Sequence, residues 1–283
     1  MEGFRIFYYF MMLLIFSIAQ KASSQSLSKA ISYNIRLDNP GDNEDNWHLR
    51  KRDLVNFIKN EKPDFLGIQE ALLHQAEYLD GSLDDYNYIG VGRDDGKQAG
   101  EIMAIFYKKD KWHLIKDSTI WLSETPNEPS MGWDAACYRT CTIGFFKTIN
   151  GRNIIVLNTH FDHIGQTARS KSSGVILEFL KTLNKDYSLI LLGDFNAEPH
   201  STVMSDFFNN LQDSKEKALY KLNHFEGTYN GFKLDSIYTK RIDYIFTSAN
   251  LSPITYIVPS PKTQNGRHLS DHFPIIVQFH SND

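Results

Sequence analysis

The sequence predicts an α/β fold in which helices cover mixed β-sheets. Short runs rich in β-branched and aromatic residues alternate with segments whose apolar residues recur at helical spacing. Several consecutive strand-like runs lie too close together for the crossover that parallel neighbours need, so both parallel and antiparallel pairing is expected. The chain has 283 residues, 41% hydrophobic and 23% charged, which is ordinary globular composition. Its length suits one large domain.

The elements follow in order. KAISYNIRL (29–37) has strand composition. Residues 49–60 read as a helix with Leu54, Val55 and Ile58 on one face. EKPDFLGIQ (61–69) turns at Pro63 and enters a buried strand, and Leu72, Leu73, Ala76 and Leu79 mark a short helix. Strand-like runs cover 101–107, 112–121, 140–147 and 153–159. Residues 166–184 form the clearest helix, with Val175, Ile176, Phe179, Leu180 and Leu183 in one stripe. YSLILLG (187–193) reads as a strand buried on both faces. A short helix at 201–210 and strands at 242–247, 253–258 and 273–279 complete the pattern. With no repeat and no linker after residue 30, residues 26–283 are expected to form a single domain.

Residues 1–25 differ from the rest. Arg5 leads into the apolar run Ile6–Ala19, followed by Gln20, Lys21 and the small polar residues Ala22–Ser24. That order predicts a signal peptide cleaved between Ala22 and Gln25, and export to the periplasm or the medium. The competing reading is an uncleaved anchor helix, disfavoured because the run falls short of the roughly 20 residues a span needs. Cys137 and Cys141, if on one strand, lie about 13 Å apart along it. They cannot bridge, and are expected to be two small buried apolar residues.

The net charge of −4 argues against binding nucleic acid through a broad positive field. Two cysteines exclude a four-cysteine zinc site, and the short-spaced pair His160 and His163 alone supplies too few ligands, so zinc is disfavoured. Chemistry concentrates instead where apolar strands begin or end. Asn34 follows AISY, Glu70 follows FLGIQ, His160 follows IIVLNT, and Asp194 and Asn196 follow LILLG. Asp243 opens DYIF, and Asp271 and His272 precede FPIIV. Any one of these could be an ordinary turn residue. Together they would place four carboxylates, two imidazoles and two amides at one sheet edge.

SYNIR, GIQE, NTHFDH, LLGDFNAEP, RIDYIF and LSDHFP, in that order, resemble the endonuclease/exonuclease/phosphatase superfamily, including its DNase-, nocturnin/deadenylase- and sphingomyelinase-like branches. The resemblance spans about residues 30–280. It implies a four-layer α/β/β/α sandwich with two mixed sheets, and hydrolysis of a phosphate ester with Mg²⁺ or Mn²⁺. Such hard cations prefer carboxylate and amide oxygens, which implies Glu70, Asn34 and Asp271 as the metal set. His272 is expected as the general base or water-orienting group, with Asp243 holding its ring. Asp194 and Asn196 are expected to position the water and phosphoryl oxygens, with Asp194 an alternative proton acceptor. His160 is expected to contact the phosphate or protonate the leaving oxygen.

The substrate side is less defined. Arg36 or Arg50 could grip a phosphate with a bidentate guanidinium, with Trp47 nearby. Alternatively Trp47 caps the helix entrance and Arg50 pairs with Asp42 or Asp45. Arg139, His163, Arg169 and His268 are further candidates, each also readable as a solvated loop group. The loop 123–136 is either a substrate lid or a long connection. The leading expectation is an exported metal-dependent phosphodiesterase acting on a small molecule, lipid headgroup or nucleic acid, monomeric and without an obligate protein partner. A secreted nuclease for DNA or RNA and a non-catalytic binding protein on the same fold are the alternatives.

Overall fold

A computed structural model of the chain describes residues 27–184, 187–223 and 225–281; the predicted signal segment 1–25 lies outside the described residues. Thirteen strands and five α-helices are present among them. The strands are β1 (Ser28–Asn34), β2 (Phe65–Ala71), β3 (Tyr86–Ile89), β4 (Ile102–Lys108), β5 (Trp112–Trp121), β6 (Thr140–Thr148), β7 (Asn153–His160), β8 (Ser188–Asp194), β9 (Gln212–Asp213), β10 (Tyr220–Asn223), β11 (Asp243–Thr247), β12 (Leu251–Val258) and β13 (Ile275–Ser281). The helices are α1 (Trp47–Glu61), α2 (Leu73–Asp80), α3 (Gln166–Lys181), α4 (Thr202–Asn210) and α5 (Ser214–Lys217), with a 3₁₀ turn at Pro40–Asp45. No described helix is long and apolar enough to cross a membrane.

One sheet runs β10-β12-β13-β1-β2-β4-β3 and the other β5-β6-β7-β8-β11-β9. Both are mixed: β1–β2 and β7–β8 pair in parallel, while β1–β13, β2–β4, β6–β7 and β8–β11 pair antiparallel. Three apolar clusters separate four layers. Ala30, Phe65, Ile105, Phe146, Val156, Ile190, Leu192 and Ile245 fill the space between the sheets. Leu54, Ile58, Ala76 and Leu79 of α1 and α2 pack on Ile31, Tyr33, Leu66 and Ile68. Ile176, Val203, Met204 and Phe207 of α3 and α4 pack on Ile155, Leu157, Leu191 and Phe246. Successive residues of β1 and β8 thus serve opposite faces, as strand alternation requires.

The sheets approach closely at Gly67, where an added Cβ would stand 2.8 Å from Leu192 Cδ1. Beside it the interior is polar. Asn158 donates to the carbonyls of Ile68 and Ala104 at 2.8 and 2.9 Å, and Gln69 donates to Asn158 Oδ1 at 2.6 Å. These bonds satisfy the Asn158 amide and the Gln69 Nε2 donor across the interface, while Gln69 Oε1 is buried without a partner. The sequence reading placed the long strands within a few residues but had no signal for β3, β9, β10 or α5, which are too short to show periodicity. It also extended α3 to residue 184, whereas the helix ends at Lys181.

Candidate active site

Three neighbouring strands of the second sheet bring three site residues into line. His160 at the end of β7 faces Asp194 at the end of β8, and Asp194 faces Asp243 at the start of β11. The first sheet supplies the opposite wall: β1 ends at Asn34, paired with Gln69 of β2. The β2–β4 register slips between Ile68 and Ala71, so Glu70 sits in a bulge with φ +63°. A bulge re-aims a side chain, and here Glu70 turns towards the second sheet. Arg36 and Asn196 also hold positive φ, at +58° and +46°. Non-glycine residues rarely adopt this conformation without a compensating role.

The side chains converge on a cavity of about 450 Å³. Asn34 Nδ2 donates to Glu70 Oε1 at 2.9 Å and to Asp194 Oδ2 at 3.1 Å, joining the two walls. Asp194 Oδ1 accepts the Asn196 amide at 2.9 Å, and Glu70 Oε2 accepts the Leu37 amide at 3.1 Å. His272 Nδ1 bonds Asp243 Oδ2 at 2.9 Å, and its Nε2 stands 3.7 Å from Asp194 Oδ2. Asn34 and Asp243 are fully buried behind the wall, whereas Glu70, Asp194, Asn196, His160, Asp271 and His272 line it.

The charge states follow from this packing. Burial alone would lower the His272 pKa, but Asp243 and Asp194 outweigh it and raise it to about 10, so the ring is an imidazolium at neutral pH. His160 has the opposite fate: burial, helped by Arg139, lowers it to about 3. The neutral His160 ring lies with Nε2 3.1 Å from Asn196 Nδ2 and 3.5 Å from Asp194 Oδ2, and with Nδ1 3.6 Å from Glu101 Oε2. It is thereby held against the two residues expected to position water and phosphoryl oxygens. In that charge state the His272 ring is a donor, which favours the water-orienting alternative over the general base.

The donor set fits a hard divalent cation. Asp194 and Asp271 are both raised by burial, Asp194 further by Asp243 and Asp271 by Glu70. Arg36 Nη1 lies 3.9 Å from both Glu70 Oε2 and Asp271 Oδ2, so positive charge already faces the gap between them. Asp243 Oδ1 is buried without a hydrogen-bond partner, whereas Glu101 Oε2 is ion-paired with Arg93 Nη1 at 2.7 Å. Ligand atoms of Asp194, Asp243 and His272 also lie within 4.8 Å of one another, but the ring and Asp243 already satisfy each other. Glu70 and Asp271 are the better pair, and Mg²⁺ or Mn²⁺ suits their oxygens. Asn34 is oriented with its oxygen accepting from the Arg36 amide at 3.0 Å, so it braces Glu70 rather than offering a ligand.

Several expected substrate contacts lie elsewhere. Arg50 is buried and spends its guanidinium on four carbonyls, those of Asp45, Ile35, Leu269 and Arg36. Trp47 is buried beside it, its ring 5.4 Å from the guanidinium carbon. His268 is buried against Lys233 O and the Tyr238 hydroxyl, and Arg169 donates to Asp162 O. None of these four lines the cavity. Arg36, Arg139 and His163 do. Arg139 donates to Asp162 Oδ2 and to His163 Nδ1, and its Nη1 is buried without a partner. The loop 123–136 is a pinned connection rather than a free lid: Ser123 bonds Ser130, and Asp134 accepts from the Thr167 and Ala168 amides.

Seven wall residues were not expected from the sequence, Leu37 and Ile242 among them as apolar lining. Arg93 and Lys240 add positive charge, Glu101 faces His160, and Tyr229 stacks its edge against His272. Cys137 lies outside β6 and half-exposed on the wall, which corrects its placement as a second buried apolar residue; Cys141 is buried. Glu101 alone had a signal, preceding an apolar strand as Asp243 does.

Comparison with known proteins agrees with this geometry. The model of the Endonuclease/Exonuclease/phosphatase family matches residues 31–272. The solved mannosyl-6-phosphatase of Bacteroides thetaiotaomicron is 38% identical with a TM-score of 0.85, covering 89% of this chain and 99% of that one. An uncharacterized protein of Acanthamoeba polyphaga mimivirus is 28% identical over 82% of this chain and 92% of its own length. The human nocturnin catalytic domain, 19% identical over 90% of this chain and 94% of that one, shares the fold with a TM-score of 0.72.

Proposed function

Because the chain belongs to the endonuclease/exonuclease/phosphatase family, we propose that it is a metal-dependent phosphoesterase releasing phosphate from small phosphorylated sugars. The observation that carries this reading is the cavity itself. Within about 450 Å³, Arg36, Arg93, Arg139 and Lys240 surround the carboxylate and imidazole groups. That size suits a small ligand, and the four cationic side chains, three of them paired with Asp42, Glu101 and Asp162, supply donors for the several oxygens of a terminal phosphate. Similarity to a mannosyl-6-phosphatase over nearly the whole of both chains supports the sugar.

Glu70 and Asp271 would hold the ion, which neutralises phosphoryl oxygens and the departing alkoxide when bound. His272, kept protonated by Asp243 and Asp194, donates to a phosphoryl oxygen. Asp194, fixed by Asn34 and the Asn196 amide, takes a proton from the attacking water as the new P–O bond forms. Asn196, steadied by His160, orients that water. Arg36 and Arg139 bind the remaining oxygens. The N-terminal apolar run supports export, which the mass of protein recovered outside the cytoplasm would test.

The test is phosphate release from mannose 6-phosphate and glucose 6-phosphate, p-nitrophenol release from bis-p-nitrophenyl phosphate, and strand cleavage of DNA and RNA, each with Mg²⁺ or Mn²⁺. Hexose phosphates should be the best substrates, with EDTA, Glu70→Gln and Asp194→Asn each lowering turnover at least about 10³-fold. Preferential cleavage of a diester would overturn the monoester reading.

A further inference from the structure

We infer that Tyr229 is the platform on which the sugar ring of the leaving group rests; this deepens the sugar-phosphate reading and depends on it. Among the described residues Tyr229 is the one Phe, Tyr or Trp on a wall otherwise dominated by charged and polar groups. Its side chain gains little from burial, since the residue is 36% exposed. Yet its backbone is held from several directions. The Thr228 and Tyr229 amides donate to Lys240 O, the Asn230 and Gly231 amides donate to Asp271 O, and Phe273 donates back to Thr228 O. Asn230 adds bonds to Ser270 O and from the Phe232 amide.

The turn is also strained. Gly231 and Phe232 both sit at positive φ, +57° and +59°. For Phe232 that conformation is costly and persists only where the surroundings impose it. The result is an aromatic ring fixed to the segments that carry Asp243, Asp271 and His272, its centroid 5.0 Å from that of His272 and its plane tilted 73°. Lys240 Nζ stands 5.1 Å from the ring centroid.

A sugar ring has two kinds of surface. Its C–H edges are weakly positive and favour the negative face of an aromatic ring, and its hydroxyls need donors and acceptors. Tyr229 offers the first partner and its own hydroxyl, with Lys240, the second. Both stand beside the carboxylates that would hold the metal, so a phosphate seated there brings its alcohol to this ring. A ringless alcohol such as glycerol has no such face to present.

The test compares mannose 6-phosphate with glycerol 3-phosphate on the full enzyme with Mg²⁺, for wild type, Tyr229→Ala and Tyr229→Phe. Tyr229→Ala should raise the KM for mannose 6-phosphate about tenfold, with a smaller change in kcat and a much smaller change for glycerol 3-phosphate. Tyr229→Phe, which keeps the ring, should recover most of the loss. Equal losses on both esters with a shifted pH profile would mean that Tyr229 only buttresses His272, and would overturn the inference. So would an unchanged KM in a folded Tyr229→Ala, while the sugar-phosphate reading stood. Wild-type enzyme that hydrolyses glycerol 3-phosphate but no hexose phosphate would overturn both. Unfolding midpoints of the three proteins identify a folding failure, in which case Tyr229→Phe and Tyr229→Leu carry the comparison.

Discussion

Removing the Arg50 guanidinium should destabilise the fold far more than it weakens substrate binding. Arg50 is 1% exposed, and its donors reach the carbonyls of Asp45, Ile35, Arg36 and Leu269. These carbonyls belong to the chain leaving β1, to the 3₁₀ turn and to the segment entering Asp271. In Arg50→Met all four lose a charged donor in a dry environment. Each unsatisfied buried group costs about 1–3 kcal/mol, and partial relaxation makes the costs less than additive, so roughly 4 kcal/mol is expected. For a chain of this size that lowers the melting temperature by about 8–16 °C. Thermal and urea unfolding with EDTA present would measure it, alongside KM well below the transition. Arg50→Lys, which can satisfy only some of the carbonyls, should fall between. A loss under about 1 kcal/mol with a strongly raised KM would refute the argument and return Arg50 to the substrate.

The buried pair Arg241–Asp213, 2.6 Å apart, should behave similarly: Asp213→Asn leaves a guanidinium uncompensated and should cost about 3 kcal/mol, whereas Asp213→Leu with Arg241→Met should cost less than the sum of its parts. Denaturant midpoints of the four proteins check this. His268 contributes to the pH dependence of stability with a definite sign. Burial, with Lys262 nearby, lowers its pKa in the folded protein. The unfolded chain therefore takes up a proton near pH 6.5 that the folded one refuses, and stability falls as pH drops below that value. Urea midpoints between pH 7.5 and 5 should show a shallower slope for His268→Gln; an identical slope would refute the assignment.

What was legible in the sequence was the set of strand ends. His160, Asp194 and Asp243 each adjoin a strongly apolar run, and the register of β7, β8 and β11 turns that adjacency into contact. Asn34 and Glu70 follow the same logic in the other sheet. Position along a strand says nothing of charge state. The same residue type became neutral at His160 and a cation at His272: both rings are buried beside carboxylates, but burial and Arg139 prevail at His160, whereas Asp243, bonded to the ring, and Asp194 prevail at His272. Arginines were the least legible. Arg50 read as a candidate phosphate ligand, yet its partners are backbone carbonyls, that of Leu269 far away in sequence, which no residue pattern encodes. Tyr229 was invisible because its placement depends on a turn with two positive-φ residues rather than on a regular element.

The position of the site between the sheets explains why the interior carries so many amides. The carboxylates that would bind metal come from the first sheet and the segment before β13, while Asp194, Asp243, His160 and Asn196 come from the second. Catalysis across such a seam requires the sheets not to slide, and apolar packing between flat faces resists sliding weakly because many registers bury similar area. Directional bonds do not share that degeneracy. Gln69 to Asn158, Asn158 to Ile68 and Ala104, and Asn34 to Asp194 each cross the seam, and a shift of even about 1 Å would leave buried groups unpaired. Gly67 permits the close approach that these bonds need. The same amides that make this core polar thereby hold the spacing between the half that would bind the ion and the half that would activate water.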